Sequence, residues 1–123
     1  MKVSFLISQY SNLTTPKAVS VTSGYSIVRN VGYSVGKLVT LSIGILCPAG
    51  YNYGNYLHIA TASVAPKAEM TGVALVIYGL KTFATAVKVT TDGRIHLYTT
   101  YDIAQVASGN NCDTSFNITY ASN

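Results

Sequence analysis

The chain has 123 residues, of which 49% are apolar and only 10% are charged, and its formal net charge is +4. The length fits one domain with a sizeable core, while the charged fraction lies well below the roughly 25% of average soluble domains. The eight Lys and Arg residues are scattered rather than clustered, so nucleic acid is not expected as a partner. The longest apolar run, 38–46, is too short to span a bilayer, which takes about 20 residues, so membrane insertion is not expected either.

Strand patterns follow one another along the chain, separated by Gly, Pro, Asn and Ser, and no window shows convincing helical periodicity. We expect a segment of residues 1–17 that serves as an edge strand, strap or attachment segment, followed by a head domain over residues 18–123. The fold class expected is an all-β antiparallel β-sandwich of jelly-roll or Greek-key type, with about eight or nine strands and no helices of note. The predicted strands are 3–8, 18–22, 26–31, 37–46, 56–62, 72–78, 84–90, 94–100 and 115–120.

The hairpin around Asp92-Gly93 has a register that the sequence can decide. A two-residue turn would put apolar and polar residues on both faces. A three-residue loop, 91–93, places Val89 opposite Ile95 and Lys88 opposite His96, which gives one clean apolar face. Gly93 then takes the left-handed position of a bulge after a type I turn. The strand parities predict a core that consists of Val39, Leu41, Ile43, Ile45, Val87, Val89, Ile95, Leu97, Phe116 and Ile118.

Cys47 and Cys112 are the two cysteines of the chain. Cys47 continues the inward parity of Ile45 and is expected to act as a small hydrophobic residue. A disulfide between them is possible in an oxidising setting, but spacing does not establish it. Free thiols are the favoured interpretation.

Titratable residues are few, with one Glu, three Asp and two His. They show no recognisable pattern of a nucleophile, a paired acid and base, a phosphate loop or a metal site. We therefore expect no enzyme activity, no catalytic residues, no metal and no cofactor. His58 and His96 are interpreted as ordinary surface or partly buried residues.

Tyrosine is abundant, with ten Tyr and no Trp, and three Tyr crowd the loop 48–55 and its exit. A Tyr offers a flat apolar ring and a hydroxyl at low entropic cost, which suits adaptable polar recognition. We expect a saccharide site, with partners from a second loop at 101–114. Packing of these rings on the domain's own rim or on a neighbouring subunit is the alternative. The predicted ligand-binding residues are Tyr51, Asn52, Tyr53, Asn55, Tyr56, Tyr101 and Asp102.

Several segments together resemble the C-terminal head domain of bacteriophage tail-fibre and baseplate receptor-binding proteins. The VGKLVTL stretch at 35–41 is similar to an opening strand of those heads, and the segments 15–21 and 23–27 before it are similar as well. The segment 59–66 stands where the heads often carry a Leu-Pro-x-Gly motif, although Ala62-Ser63-Val64-Ala65 replaces it here. The hairpin 87–97 and the closing strand 116–120 complete the set, which covers most of residues 15–120.

The resemblance implies a homotrimeric jelly-roll head on the virion tail, made in the host cytoplasm, that adsorbs to a host cell-surface saccharide. It also implies contacts with other tail or baseplate proteins through the N-terminal segment, whether the chain is a fragment of a longer fibre or a short protein. Two other classes stay open: a trimeric adhesin of C1q/TNF-like type without a phage, and a structural virion protein without a ligand.

Overall fold

The computed structural model describes residues 18–50 and 54–123. In chain order these residues form β1 (Val19–Val21), β2 (Ser26–Val35), β3 (Leu38–Cys47), β4 (Tyr56–Ala62), β5 (Met70–Tyr78), β6 (Lys81–Val89), β7 (Arg94–Tyr98), a helix α1 (Tyr101–Ala107) and β8 (Cys112–Ala121). The predicted strand at 3–8 and the rest of the segment 1–17 lie outside the described residues. The other eight predicted strands are confirmed, with ends that differ by a few residues.

All eight strands belong to one antiparallel sheet, in the order β1-β4-β7-β6-β5-β8-β3-β2. Strands β5, β6 and β7 follow one another as hairpins, and β4 lies beside β7, which is a Greek-key arrangement. The sheet curls round until β1 and β2, its two edges, contact one another. The predicted all-β antiparallel fold is thereby confirmed, with the two halves of a sandwich joined into a nearly closed sheet.

The core lies inside this sheet and follows the alternation of inward and outward side chains along the strands, with an irregularity at the bulge in β4. All ten predicted core residues are buried, with exposed fractions of 6% or less. Cys47 is buried in the same row, as its parity predicted, and it lies opposite Cys112 of β8. Both cysteines are free thiols in this structure.

The hairpin between β6 and β7 has the predicted register. Val89 pairs with Ile95, Lys88 with His96 and Val87 with Leu97. The Gly93 N–H donates to the Thr90 carbonyl at 2.9 Å, and the Thr90 N–H donates to the Arg94 carbonyl at 3.0 Å. Gly93 has a φ of 89°, the left-handed conformation that Gly adopts without a steric penalty.

The seam between the two sheet edges is closed by one side chain, Asn30 of β2. The Val19 N–H donates to Asn30 Oδ1 at 3.0 Å, and Asn30 Nδ2 donates to the Val19 carbonyl at 3.0 Å. The amide thus presents to β1 the acceptor and the donor that a neighbouring strand would present. Asn30 is 2% exposed, so these bonds satisfy groups that water does not reach.

The two ends of the sheet differ in what they carry. At one end, here called the base, β1 begins and β8 ends, and the Ser122 N–H donates to the Lys37 carbonyl at 2.7 Å. The opposite end, here called the rim, carries the connections 22–25, 79–80 and 99–111 and the described residues 48–50 and 54–55. The described parts of the two predicted site loops therefore lie at the rim, whereas the described chain begins and ends at the base.

The loop expected over 101–114 instead contains the seven-residue helix α1, followed by the first residues of β8. Thr100 caps the helix by accepting a hydrogen bond from the Ile103 N–H at 3.3 Å, and Asp102 lies in the first turn. Ile103 and Ala107, one helical turn apart, are the buried residues. Within residues 18–50 and 54–123 no helix is long and apolar enough to cross a membrane.

Replacing Ile43 with Ala should lower the free energy of unfolding by about 2–5 kcal/mol, because Ile43 is fully buried and its loss leaves a cavity. Chemical denaturation monitored by circular dichroism measures this change. An unchanged midpoint would mean that β3 does not pack as described.

Replacing Asn30 with Ala should also destabilise the fold, because the N–H and carbonyl of buried Val19 lose their partners, each at about 1–3 kcal/mol. Thr82→Ala at an exposed position of β6 is the control and should stay within about 0.5 kcal/mol. Equal stabilities for the two variants would contradict a closing role for Asn30.

Candidate functional site

Four of the seven predicted site residues lie in the described part of the chain, and all four are exposed at the rim. Asn55 and Tyr56 stand at the beginning of β4, and Tyr101 and Asp102 begin α1. Tyr51, Asn52 and Tyr53 lie outside the described residues.

The backbone brings the two predicted loops together. The Gly54 N–H donates to the Thr99 carbonyl at 2.9 Å, and the Thr99 N–H donates to the Asn55 carbonyl at 3.0 Å. The Gly50 N–H donates to the Ala107 carbonyl of α1 at 2.8 Å. Gly50 has a φ of 104°, a conformation that L side chains rarely adopt. The two described ends of the loop, at Gly50 and at Gly54 and Asn55, are thus tied to α1 and to the segment that leads into it.

Tyr56 has neighbours that the sequence reasoning did not include. Its ring lies 5.1 Å from the Tyr98 ring, centroid to centroid, and the Lys88 ammonium lies 4.5 Å from the Tyr56 ring centroid. The His58 and His96 rings are 5.5 Å apart. These five side chains, Tyr56, His58, Lys88, His96 and Tyr98, form what is here called the Tyr–His patch.

Strand pairing explains how the patch forms. Tyr56 pairs with Tyr98 and His58 with His96 across β4 and β7, while His96 pairs with Lys88 across β7 and β6. Directly opposed residues point to the same face of a sheet, and here that is the outer face. The hairpin register predicts the contact of Lys88 with His96. The pairing of β4 with β7 joins segments about 40 residues apart, and no local pattern reveals it.

The patch contains basic side chains, and its surroundings disfavour the charged form of one of them, His96. Burial lowers the pKa of His96, and the nearby His58 and Lys88 lower it further. His58 Nε2 lies 3.0 Å from Thr61 Oγ1. Lys88 Nζ lies 4.0 Å from Glu69 Oε1 at an exposed edge, where a single ion pair contributes little.

The chemistry of the patch suits a polar ligand with an apolar face. Tyr56 is 45% exposed, so its ring is accessible, and its hydroxyl can donate or accept a hydrogen bond. The His rings and the Lys88 ammonium add further donors. A cation over a Tyr ring also fixes the orientation of both groups. Among the described residues no three His, Cys, Asp or Glu side chains group together in a way that could hold a metal ion.

Comparison with known proteins reveals similarity through structure rather than sequence. No protein-family model matches the chain, and no curated protein matches it. The chain is similar to a solved structure, the head domain of phage bIL170, described among the receptor-binding domains of lactococcal phages. The TM-score is 0.57 at 9% sequence identity, over 93% of this chain and 97% of that one. The resemblance that the motifs predicted is thus confirmed as a resemblance of fold.

The pKa of His96 should rise in a His58→Gln variant, because the variant removes a neighbouring charge that disfavours the imidazolium. Lys88→Gln should act in the same direction. An NMR titration of the imidazole signals measures both changes. Lys81→Gln, on the same strand but away from the patch, serves as the control, and a His96 pKa that responds no more to His58→Gln than to this control would refute the contact.

Proposed function

We propose that this chain is the receptor-binding head of a phage tail and that its rim attaches the virion to a saccharide on the host cell surface. The observation that carries the proposal is the polarity of the molecule. Both ends of the described chain leave from the base, whereas the exposed Tyr56, Tyr78 and Tyr101 and the connection 99–111 stand at the rim. An attachment through residues 1–17 to other tail or baseplate proteins would therefore turn the rim towards the cell.

The chemistry of the rim favours a saccharide as the receptor. Sugars present apolar C–H faces and hydroxyl groups. The Tyr–His patch, which begins at the rim and continues along the outer face towards the base, offers the Tyr56 and Tyr98 rings together with the donors of His96 and Lys88. Tyr101 is 60% exposed at the start of α1, and Asp102 next to it can accept hydrogen bonds from hydroxyls. Tyr51, Asn52, Tyr53 and Asn55 belong to the same proposed site through the loop 48–55.

A homotrimer is the proposed assembly, and the outer surface of β8, β3 and β2 towards the base is the part suited to it. The outward side chains there include no Lys, Arg, Asp or Glu, and interface centres are depleted in charge. We call this surface the neutral face; it consists of Val31, Tyr33, Val35, Leu38, Thr40, Ser42, Asn117, Thr119 and Ala121. A closed cyclic trimer would cover it and leave the rim free.

The proposed role is adhesion without catalysis. Asp102 lies at the helix start, and Asp113 lies near the beginning of β8. Asp92 is bonded to Thr90 in the hairpin turn, and Glu69 faces Lys88. These placements give the described carboxylates separate surroundings rather than a shared catalytic site.

Tyr56→Ala should reduce binding to host cells by about tenfold per site, because the ring contact is lost. Tyr56→Phe keeps the ring and should retain most of the binding. Flow cytometry with labelled protein measures the effect, and Tyr53→Ala tests the neighbouring loop. Periodate treatment of the cells, which cleaves sugar diols, should abolish binding, whereas protease treatment should not.

The outcomes separate a ligand site from a structural one. A Tyr56→Ala variant that binds normally, or that loses binding only because its oligomer dissociates, would contradict the site. Binding that survives periodate but not protease would contradict the saccharide.

The double variant Val31→Glu, Val35→Glu should convert the trimer to a monomer, because it places two negative charges in the neutral face, on β2. Light scattering at micromolar concentration measures the mass, and circular dichroism verifies the fold. Leu80→Glu, at a fully exposed hairpin tip, is the control and should remain trimeric. A wild-type protein that is monomeric under these conditions would refute the assembly.

A further inference from the structure

A shallow cavity of about 230 Å³ opens on the outer surface of the sheet near the rim. It lies on β2, β3, β8 and β5, whereas the Tyr–His patch lies on β4, β7 and β6. The side chains that determine its chemistry are those of Val28, Arg29, Ile77, Asp113 and Ser115, around the bare backbone of Gly44.

Arg29 is held in place by three hydrogen bonds across two strands. Its Nε donates to Ser42 Oγ at 3.0 Å, and its Nη2 donates to Ser115 Oγ at 2.8 Å and to the Ile43 carbonyl at 3.2 Å. These bonds order the guanidinium before a ligand arrives, which lowers the cost of binding. They leave Nη1 and its donors to the cavity.

The backbone around Arg29 is shaped for this arrangement. A β-bulge at Val28 interrupts the pairing of β2 with β3, so that Ile27 pairs with Ile45 and Arg29 with Gly44. Bulges often re-aim side chains at functional sites. A Cβ at Gly44 would lie 3.4 Å from the Arg29 Cβ and 3.5 Å from Arg29 Nη1. These distances are ordinary van der Waals contacts, so the Arg29 side chain lies directly over the backbone of Gly44 on β3.

Asp113 supplies the opposite charge in the same cavity without pairing to Arg29. Within residues 18–50 and 54–123, the ion pairs are those of Lys88 with Glu69 and Arg94 with Asp92. The Asp113 carboxylate also receives no hydrogen bond from these residues. A donor and an acceptor thus face one cavity with space between them, and both remain available to a bound molecule.

The cavity also has an apolar side. Val28 is 66% exposed at the bulge, and Ile77 of β5 pairs with Asp113. Beyond Ile77 the β5–β6 hairpin ends in Leu80, which is fully exposed. An apolar wall beside polar groups that accept and donate matches the two sides of a sugar ring.

We propose that this cavity is a second saccharide subsite, which binds an uncharged sugar residue of the receptor through Arg29 and Asp113. The charges of these two residues are opposite. The attraction of an anionic sugar to Arg29 is therefore offset by its repulsion from Asp113. Neighbouring hydroxyls on a neutral ring use both, accepting from Arg29 Nη1 and donating to the Asp113 carboxylate. This inference rests on the proposed function and names the chemistry of part of the receptor.

The test is an NMR titration of the full chain with methyl glycosides of glucose, galactose and mannose at millimolar concentrations, with glucuronate and glucose 6-phosphate as charged counterparts. At least one neutral glycoside should shift the signals of Arg29 Nε–H, Asp113 and Ser115 more than either charged sugar does. Asp113→Asn removes no hydrogen bond of the fold and should weaken this binding by about tenfold, the effect of one hydrogen bond to a charged group. Arg29→Gln should weaken it as well, and Asn117→Ala, outside the cavity, should not.

The result separates this inference from the proposed function. Shifts confined to the Tyr–His patch, with the cavity signals unchanged, would refute the subsite and leave saccharide binding at the rim intact. Stronger binding of the charged sugars, or equal binding by the Asp113→Asn variant, would also refute it. Shifts at the cavity combined with cells that still bind the protein after periodate treatment would support binding of a neutral sugar by the cavity, but would refute both the saccharide receptor and the role of the cavity in binding it.

Discussion

The two hydrogen bonds between the Asn30 amide and the backbone of Val19 are the constraint on which this fold depends. The strand β1 has only three residues and one sheet partner, β4, and an edge left open exposes unpaired backbone groups. Asn30 provides these groups with partners from β2 and so joins the first and last strands of the sheet. A buried amide can do this because it carries both a donor and an acceptor.

The same strand that closes the seam also presents Arg29. Neighbouring residues of a strand point to opposite faces, so an inward Asn30 places Arg29 outside, above Gly44 and Ser115. The bulge at Val28 shifts the register of β2 against β3, so that Arg29 pairs with Gly44 and Asn30 with Ile43. Three consecutive residues, Val28, Arg29 and Asn30, therefore contribute both to the closure of the fold and to the shape of the proposed subsite.

Local patterns in the sequence determined much of this structure, and long-range pairing explains what they missed. The register of the β6–β7 hairpin follows from Asp92-Gly93 and the parity of Val89 and Ile95, because both strands lie within one short segment. The contact of Tyr56 with Tyr98 depends on β4 passing beside β7, which only the Greek-key topology specifies. Helix α1 is too short for a periodic pattern, although Thr100 with Asp102 in the following turn is a capping signal. Asn30, a polar residue at an inward position, cannot be interpreted before its partner Val19 is known.

The Tyr–His patch and the cavity differ in charge, and the difference has consequences for recognition. The Tyr–His patch carries Lys88 and two His, whereas the cavity holds one positive and one negative side chain. A receptor chain that reached both areas would meet a cationic aromatic surface and a neutral hydrogen-bonding one, so its order of sugars would matter as well as its composition. Each contact involves few side chains, and sites of this kind bind weakly alone. In the proposed trimer three such pairs would face the cell together, and their combined strength would come from simultaneous engagement rather than from any single tight contact.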